Sequence, residues 1–166
     1  MLPLYKTIPS PVGQLILVAR DTKLAAILWE NERLNRVRLG PLEEDSQHPV
    51  LKETEHQLME YFAGQRRRFD LALDFAGTDF QVRVGQALLT IPFGETRSYR
   101  DIAIQIGQPT AVRAVGAANG RNPISIIAPC HRVIGTSGSL TGFAGGLAAK
   151  QFLLSLECQQ TLQLAF

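Results

Sequence analysis

The chain is poor in cysteine and has no long apolar segment. Two of its 166 residues are cysteines, Cys130 and Cys158, and they lie far apart. No apolar run approaches the ~20 residues that a membrane-spanning helix needs. Residues 14–19, QLILVA, are too short for a signal peptide and have no cleavage site after them. We therefore expect a cytoplasmic protein with no membrane partner and no disulfide, because the cytoplasm keeps thiols reduced.

Motifs for metals, nucleotides and serine hydrolysis are also missing. His48, His56 and His131 are scattered and do not combine with the cysteines at zinc-ligand spacing. The glycine-rich segment 135–146, GTSGSLTGFAGG, contains no phosphate-loop ending, no dinucleotide-binding pattern and no nucleophile elbow. The sequence therefore predicts neither a metal site nor a cofactor.

Charged residues make up 19% of the chain, and the formal net charge is only +2. The charge is unevenly divided: residues 1–77 carry 10 basic and 11 acidic side chains, and residues 78–166 carry 7 basic and 4 acidic ones. This mild basic excess permits a polyanionic partner without requiring one. Apolar residues make up 45%, enough to bury a core in one domain or two small lobes.

The first part of the chain is predicted to form a small antiparallel sheet followed by one helix. Short β-prone runs alternate with turn sequences up to Trp29, and a polar loop is predicted over 31–49. Apolar residues at helical spacing over 50–62 predict a helix that Gly64 ends. Residues 66–75, RRRFDLALDF, alternate as a strand. Its basic start is more simply a solvated face than a phosphate contact.

The segment AGTD, residues 76–79, marks the predicted boundary between a lobe of 1–77 and a helical lobe of 78–166. Thr78 and Gln81 have capping-box spacing and predict a helix that runs to Pro92. Ser98 and Asp101 repeat this spacing and predict a second helix. Thr110 can cap a third, and the Gly/Pro turn between the last two indicates a helix-turn-helix. The predicted class is α+β.

The third helix of this lobe carries little charge. Arg113 is the only charged residue between Ile102 and Gly120, and Ala114 and Ala117 share its side of the helix. Small residues let a backbone approach nucleic acid, and one long cation can enter a groove or base stack, so the pattern favours binding with little sequence preference. The alternative is that the alanines pack against another helix while Arg113 faces water.

The stretch APCHRVIG, residues 128–135, places Cys130 beside His131 at a predicted turn. A thiol attacks as thiolate, so it needs a base, and His131 is the nearest in sequence. Because adjacent side chains usually diverge, we expect a water between them. Glu157, the only carboxylate after Asp101, can orient the imidazole. The alternative is that Cys130 is a small buried apolar residue and His131 a packed histidine.

Asn122 and Cys158 are the remaining candidates for a role at this site. Asn122, just before Pro123, can hydrogen-bond and fix the turn that precedes Cys130. Cys158 has no base beside it and is interpreted as incidental. If the Cys130 sulfur is the nucleophile, we expect it to face a cavity large enough for its substrate.

Four segments together resemble the O6-alkylguanine-DNA alkyltransferase family. They are IPFGETRSYRDIA at 91–103, RAVGAANGRNPI at 113–124, PCHRVIG at 129–135 and GFAGGLAAK at 142–150. The resemblance runs from about Thr78 to Glu157, whereas the first lobe matches only in length and strand-rich character. It implies an RNase H-like N-terminal lobe and a helix-turn-helix that enters the minor groove of DNA.

The resemblance also implies roles for individual residues. Cys130 would take the alkyl group from O6-alkylguanine, and possible substrates include O4-alkylthymine. His131 would be the base through a water, Glu157 would orient it, and Asn122 would support the turn. Tyr99 would press on the target phosphate or protonate the guanine. The remaining assignments are Arg113 filling the gap of an everted nucleotide, Thr110, Ala114, Ala117 and Ser98 contacting DNA, and Val133, Phe143, Ala144, Gly145 and Lys150 lining the substrate pocket.

The function expected from this resemblance is DNA repair by a protein that acts once, as a monomer without a cofactor, on alkylated double-stranded DNA. The thioether formed on sulfur is not readily hydrolysed, which explains the single turnover. Two positions depart from the family pattern: Phe143 stands where many relatives have tyrosine, and Gly85 where many bacterial relatives have tryptophan.

Two other functions stay open at this point. One is a non-catalytic module that binds alkylation lesions, although relatives of that kind lack the reactive cysteine. The other is a thiol hydrolase that uses Cys130 and His131, although the base of such enzymes usually comes from far away in sequence.

Overall fold

The computed structural model describes residues 1–164 of the chain, which begins as a sheet covered by one helix and continues mainly as helices. The strands are β1 (Leu4–Ile8), β2 (Leu15–Arg20), β3 (Lys23–Trp29), β4 (Glu43–Glu44), β5 (Arg97–Ser98) and β6 (Val133–Ile134). The helices are α1 (Pro49–Phe62), α2 (Asp79–Leu88), α3 (Tyr99–Gln105), α4 (Val112–Gly120) and α5 (Leu147–Leu164), and a 3₁₀ turn spans Cys130–Arg132. Within the described residues, none of the helices is long and apolar enough to cross a membrane.

The main sheet has four strands in the order β3-β2-β1-β4. The first three pair antiparallel in sequence order, as their short β-prone runs predict, and β4 adds parallel to β1. Helix α1 covers one face of this sheet, where Leu51 and Leu58 join Leu15 and Leu17 in the main core. The predicted α+β class, with an antiparallel sheet first and helices after it, is confirmed.

The helices of the second part begin largely where their caps predict. Thr78 and Gln81 form a complete capping box at α2, and Ser98 and Asp101 form another at α3. Helices α3 and α4, joined by residues 106–111, pack against each other as the predicted helix-turn-helix. The predicted Thr110 cap is wrong: α4 starts at Val112 after Ala111, without a side-chain cap.

Three other sequence predictions differ from the structure. Helix α2 ends at Leu88 rather than just before Pro92, because the chain turns back through Thr90 and Ile91. The predicted strand over 66–75 is reduced to one bridge, between Leu24 and Leu73. The predicted loop over 31–49 contains β4 and the start of α1. Alternating residues predict the side-chain faces of a strand, but a strand also needs a neighbour along its whole length.

The two parts meet along β3. The Ile27 amide donates to the Pro123 carbonyl at 2.9 Å, in a single bridge outside the sheet. The indole of Trp29 donates to the Ser125 hydroxyl at 3.0 Å. The buried Arg36 guanidinium donates to the carbonyls of Gly120 and Asn122 at 3.1 and 2.8 Å. The sheet therefore holds the segment that leads into the Cys130 turn.

Gly85 lies inside α2 against an aromatic ring. A Cβ built at this position would lie 2.8 Å from Cε1 of Phe75 and 3.0 Å from its Cδ1. Phe75 thus fills the space that a large side chain at position 85 would take, which accounts for the small residue at this helix-interior site.

We expect Gly85→Ala to destabilise the protein by about 1 kcal/mol, because the crowding of Phe75 outweighs the roughly 1 kcal/mol that alanine gains in helix propensity. In a Phe75→Leu background, the same substitution is expected to be neutral or stabilising. Urea unfolding of the four proteins measures both effects. Equal effects of Gly85→Ala in the two backgrounds would contradict this interpretation.

Candidate active site

Cys130 is the first residue of the 3₁₀ turn, directly after Pro129. Its thiol is free, and the residue is 3% exposed. The Asn122 side chain spans the preceding turn: its Nδ2 donates to the Ala128 carbonyl at 2.8 Å, and its Oδ1 accepts from the Ile124 amide at 3.2 Å. The expected place of Asn122 at this turn agrees with these contacts.

The segment before the cysteine is strained. Residues 125–127 form consecutive turns, and Ile126 has a φ of 75°. A β-branched residue in this left-handed region is unusual and costs energy that the surroundings must supply. Burial of Ile126 and the contacts of β3 with Pro123 and Ser125 supply it.

His131 and Glu157 form a buried pair. His131 Nε2 lies 2.7 Å from Glu157 Oε2, and the side chains are 0% and 1% exposed. Because the carboxylate can only accept, this contact places the imidazole proton on Nε2 and leaves a lone pair on Nδ1, which has no partner among the described residues. Helix α5 thus brings Glu157 to the imidazole across 26 positions of sequence.

Glu157 also accepts from residues that the sequence did not single out. Arg132 donates from Nε to Oε1 at 2.8 Å and from Nη2 to Oε2 at 3.0 Å, and Tyr61 donates to Oε2 at 2.6 Å. Burial alone raises the pKa of the Glu157 carboxyl, but the hydrogen bonds and charges of His131 and Arg132 outweigh burial and lower that pKa to about 2. The carboxylate is therefore ionised at neutral pH.

Burial sets the protonation of the other two groups. It lowers the pKa of the His131 imidazole, and the opposing effect of Glu157 does not restore it. It also raises the pKa of the Cys130 thiol, although hydrogen bonds from Asn122 and Ser125 and the charges of Arg36 and Lys150 counteract it. At neutral pH the structure therefore holds a neutral imidazole beside a protonated thiol. Such a thiol needs a base before it can attack.

Of the residues predicted to line a substrate pocket, Lys150 contacts Val133 directly, and Phe143 and Gly145 pack against Trp29. Lys150 is buried, and its Nζ donates to the Val133 carbonyl at 2.7 Å and to the Thr141 carbonyl at 3.5 Å. The Tyr99 hydroxyl hydrogen-bonds to the Thr141 hydroxyl. Phe143 and Ala144 are partly buried, and the Phe143 ring meets Trp29 edge-on with centroids 5.3 Å apart. Gly145 packs so closely on the same indole that a Cβ would lie 2.6 Å from it.

The structure differs from the expected open cavity at Cys130. Cavities of about 770, 260 and 140 Å³ have walls that do not include Cys130. The largest lies behind the turn, against Ile126, Pro129 and Arg132. The physical reason is that Cys130 packs into the main core, where it is 3% exposed.

Helix α4 presents small residues to solvent. Arg113, Ala114 and Ala117 are exposed, whereas Val115, Ala118 and Asn119 are buried. The alternative in which the alanines pack against another helix is therefore wrong. Thr110 is also exposed, and Ser98 is partly buried with its hydroxyl accepting from the Asp101 amide. Within residues 1–164, Arg113 forms no ion pair.

Sequence reasoning missed three residues that hold the site. Tyr61 falls within the apolar periodicity of α1, Arg36 lies in a segment predicted to be a loop, and Arg132 follows His131 directly. Only the position of Arg132 offered a signal, since a cation next to a predicted base affects its charge. Among the described residues, no group of three His, Cys, Asp or Glu side chains is placed to hold a metal ion.

Comparison with known proteins gives consistent matches over nearly the whole chain. The DNA-binding domain of 6-O-methylguanine DNA methyltransferase matches residues 79–159, and the ribonuclease-like domain of the same methyltransferase matches residues 4–75. A methylated-DNA–protein-cysteine methyltransferase of Mycolicibacterium paratuberculosis is 52% identical over 153 residues, which cover 92% of this chain and 91% of that protein. A constitutive methylated-DNA–protein-cysteine methyltransferase of Bacillus subtilis is 45% identical over 157 residues, which cover 92% of this chain and 94% of that protein.

Solved structures agree with these relatives. The crystal structure of Mycobacterium tuberculosis OGT in complex with DNA is 49% identical and superposes with a TM-score of 0.88, covering 95% of this chain and 94% of that one. The resemblance expected from the four segments is confirmed, and so is the ribonuclease-like character of the first lobe. The chain belongs to the 6-O-methylguanine DNA methyltransferase family.

Proposed function

We propose that this protein repairs DNA by moving an alkyl group from the O6 atom of guanine to the sulfur of Cys130, with O4-alkylthymine as a second substrate. The observation that carries the proposal is the buried contact of 2.7 Å between His131, which follows Cys130 in the 3₁₀ turn, and Glu157 on α5. Relatives that are about half identical bear the name methylated-DNA–protein-cysteine methyltransferase.

The reaction begins with a proton transfer. The Cys130 proton passes through a water to the Nδ1 lone pair of His131, and the Glu157 carboxylate stabilises the imidazolium that forms. The thiolate then attacks the alkyl carbon, so that a sulfur–carbon bond forms as the carbon–O6 bond breaks. Guanine leaves more readily when it is protonated, and we assign that proton to the Tyr99 hydroxyl. The imidazolium then gives up the thiol proton and the Tyr99 phenolate takes up a proton through solvent, so that the net change moves the proton of Cys130 to guanine. No cofactor or metal is needed for this balance.

The product limits the protein to one reaction. A thioether on Cys130 is not readily hydrolysed, so the alkyl group stays on the sulfur. Each molecule is therefore consumed by one lesion. This property separates the proposal from a thiol hydrolase that uses the same cysteine and histidine, because a hydrolase regenerates its thiol.

DNA binding is assigned to α4 and its neighbours. The exposed face of Ala114 and Ala117 lets the helix backbone approach the minor groove, and Arg113 enters the stack where the target nucleotide leaves it. Ser98 precedes α3 and Thr110 lies in the turn just before α4, where both can contact phosphates. A face of small residues reads few base edges, so we expect little sequence preference.

We assign the everted base to a pocket beside Cys130. The residues that line this pocket are Val133, Lys150 and the loop of Phe143, Ala144 and Gly145. Because Cys130 is 3% exposed, the base can reach the sulfur only if the surrounding side chains move, and we assign this movement to the loop. Gly142 and Gly146 flank these residues, and Gly146 has a φ of 91°, so the loop has the backbone freedom that such a movement needs.

The proposal includes a monomer that works in the cytoplasm, where its thiol stays reduced, on alkylated double-stranded DNA. It assigns scaffolding to the lobe of residues 1–77, and DNA binding and alkyl transfer to the lobe of 78–166. A non-catalytic lesion-binding module is the second candidate function. The buried His131–Glu157 pair disfavours it, because recognition alone needs no base beside a thiol.

The first prediction concerns the acceptor atom. On mixing with duplex DNA that contains O6-methylguanine, the intact protein is expected to gain the mass of one methylene group, located at Cys130 by peptide mapping. Cys130→Ser is expected to gain nothing, while the matched control Cys158→Ser reacts like the natural protein. A methylated Cys158, or repeated turnover, would contradict the proposal.

The second prediction concerns pH. Because burial lowers the pKa of His131 below its ordinary value of 6.5, the imidazole stays neutral and able to accept a proton down to pH values below 6.5. The rate of methyl transfer is therefore expected to stay level between about pH 8 and pH 6.5 and to fall only at lower pH. Single-turnover rates across this range test it. A decline that is already half complete above pH 6.5 would show that another group is the base.

The third prediction separates DNA binding from chemistry. Arg113→Ala is expected to slow transfer from duplex DNA by about tenfold to a thousandfold, because it removes the side chain that replaces the everted nucleotide. The same variant is expected to react normally with the free base O6-benzylguanine, which needs no eversion. Comparable losses on both substrates would show that Arg113 supports the fold rather than the DNA complex.

A further inference from the structure

Tyr61 reaches the site from the first part of the chain. It lies in α1, under the sheet of the first part, and is completely buried. Its hydroxyl donates to Glu157 Oε2 at 2.6 Å, across 96 positions of sequence. The same oxygen lies 2.7 Å from His131 Nε2. A side chain of the first lobe and the predicted base His131 therefore bind the same carboxylate oxygen.

The Tyr61 ring has little freedom to move away. Its centroid lies 5.4 Å from that of Phe62, 5.5 Å from that of Phe69 and 6.3 Å from that of Phe93. The guanidinium groups of Arg67 and Arg132 lie over the Phe93 ring, at 4.8 and 5.7 Å from its centroid. This packing directs the hydroxyl at Glu157.

Tyr61 remains a donor at any pH at which the protein works. Burial, followed by the charge and hydrogen bond of Glu157, raises the pKa of its phenol well above the ordinary value. A phenol next to an ionised carboxylate can only donate. The hydroxyl therefore always draws negative charge from Oε2.

Oε2 is the crowded oxygen of this carboxylate. It receives Tyr61, His131 and Arg132 Nη2, whereas Oε1 receives Arg132 Nε at 2.8 Å and the Gly94 amide at 3.4 Å. Several donors on one oxygen share its lone pairs, so each additional donor weakens the bond to the others. In a buried site this sharing has a larger effect than it has in water.

The other charged and titratable groups that face His131 are Arg132 in the same turn, Lys150 on α5 and the thiol of Cys130. Both cations disfavour a proton on the imidazole, and Glu157 is the only anion that favours it. The charge that Glu157 has available for His131 therefore decides how readily the imidazole takes the thiol proton.

We propose that Tyr61 is a positioning residue for alkyl transfer, which fixes Glu157 Oε2 against His131 and withdraws part of its charge from the imidazole. This inference rests on the proposed alkyl transfer, in which His131 accepts the Cys130 proton. The first lobe then contributes to catalysis, because α1 supplies the Tyr61 hydroxyl as a hydrogen-bond donor to Glu157 Oε2.

The test is Tyr61→Phe, which keeps the ring and its aromatic contacts and removes only the donor. With less competition at Oε2, His131 holds a proton more tightly. The low-pH decline of the methyl-transfer rate is therefore expected to move to higher pH by about 0.5 to 1 unit, with the rate at pH 8 equal to or above that of the natural protein. Tyr5→Phe, which removes a hydroxyl from β1 on the other side of the sheet, is the matched control and is expected to leave the profile unchanged.

NMR titration of the His131 imidazole measures the same coupling without alkyl transfer. Tyr61→Phe is expected to raise the pH of its titration midpoint, and this effect is expected to vanish in a Glu157→Gln background, where the ionised oxygen is absent. An unmoved titration, or equal effects in the two backgrounds, overturns the inference. So does a rate that falls by the same factor at every pH, which a merely structural role would cause. If the natural protein takes up no alkyl group from alkylated DNA, the proposed function is overturned, whatever the titration shows.

Discussion

The buried carboxylate of Glu157 is the interaction on which the site depends. One side chain on α5 accepts from α1 through Tyr61, from the 3₁₀ turn through His131 and Arg132, and from the Gly94 amide. An unpaired carboxylate in this position would be costly to bury, and these donors together offset that cost. The same charge that orients the imidazole thereby joins parts of the chain that are distant in sequence.

The site combines a protected thiol with a base that is ready to act. Burial keeps Cys130 protonated and His131 neutral, so the sulfur is not a free thiolate that would react with any small oxidant or electrophile. For a protein that is consumed by one reaction, this restraint matters. The strained turn at Ile126, held by contacts with Trp29 and β3, fixes the position of the thiol before substrate arrives.

The proposed function assigns DNA binding and chemistry to different surfaces of the second lobe. Helix α4 has a buried side that packs against α2 and α3, and an exposed side of two alanines and Arg113. The buried end of the same helix reaches the site, since Asn119 Nδ2 lies 3.5 Å from the Cys130 carbonyl. In the proposed function this helix contacts DNA on one side, and its other side contacts the Cys130 backbone, so that one short element serves both tasks.

Local sequence determined the elements whose causes are local: the capping boxes of α2 and α3, the hairpin strands, the outward alanines of α4, and the motif that places Cys130 next to His131. Pairing of His131 with Glu157 was also predictable, because one carboxylate was available. Only the tertiary structure decided that 66–75 is not a strand, that the thiol is enclosed, and that Tyr61 and Arg36 hold the site. Those outcomes depend on which distant groups share a buried polar atom, and periodicity and spacing carry no information about that.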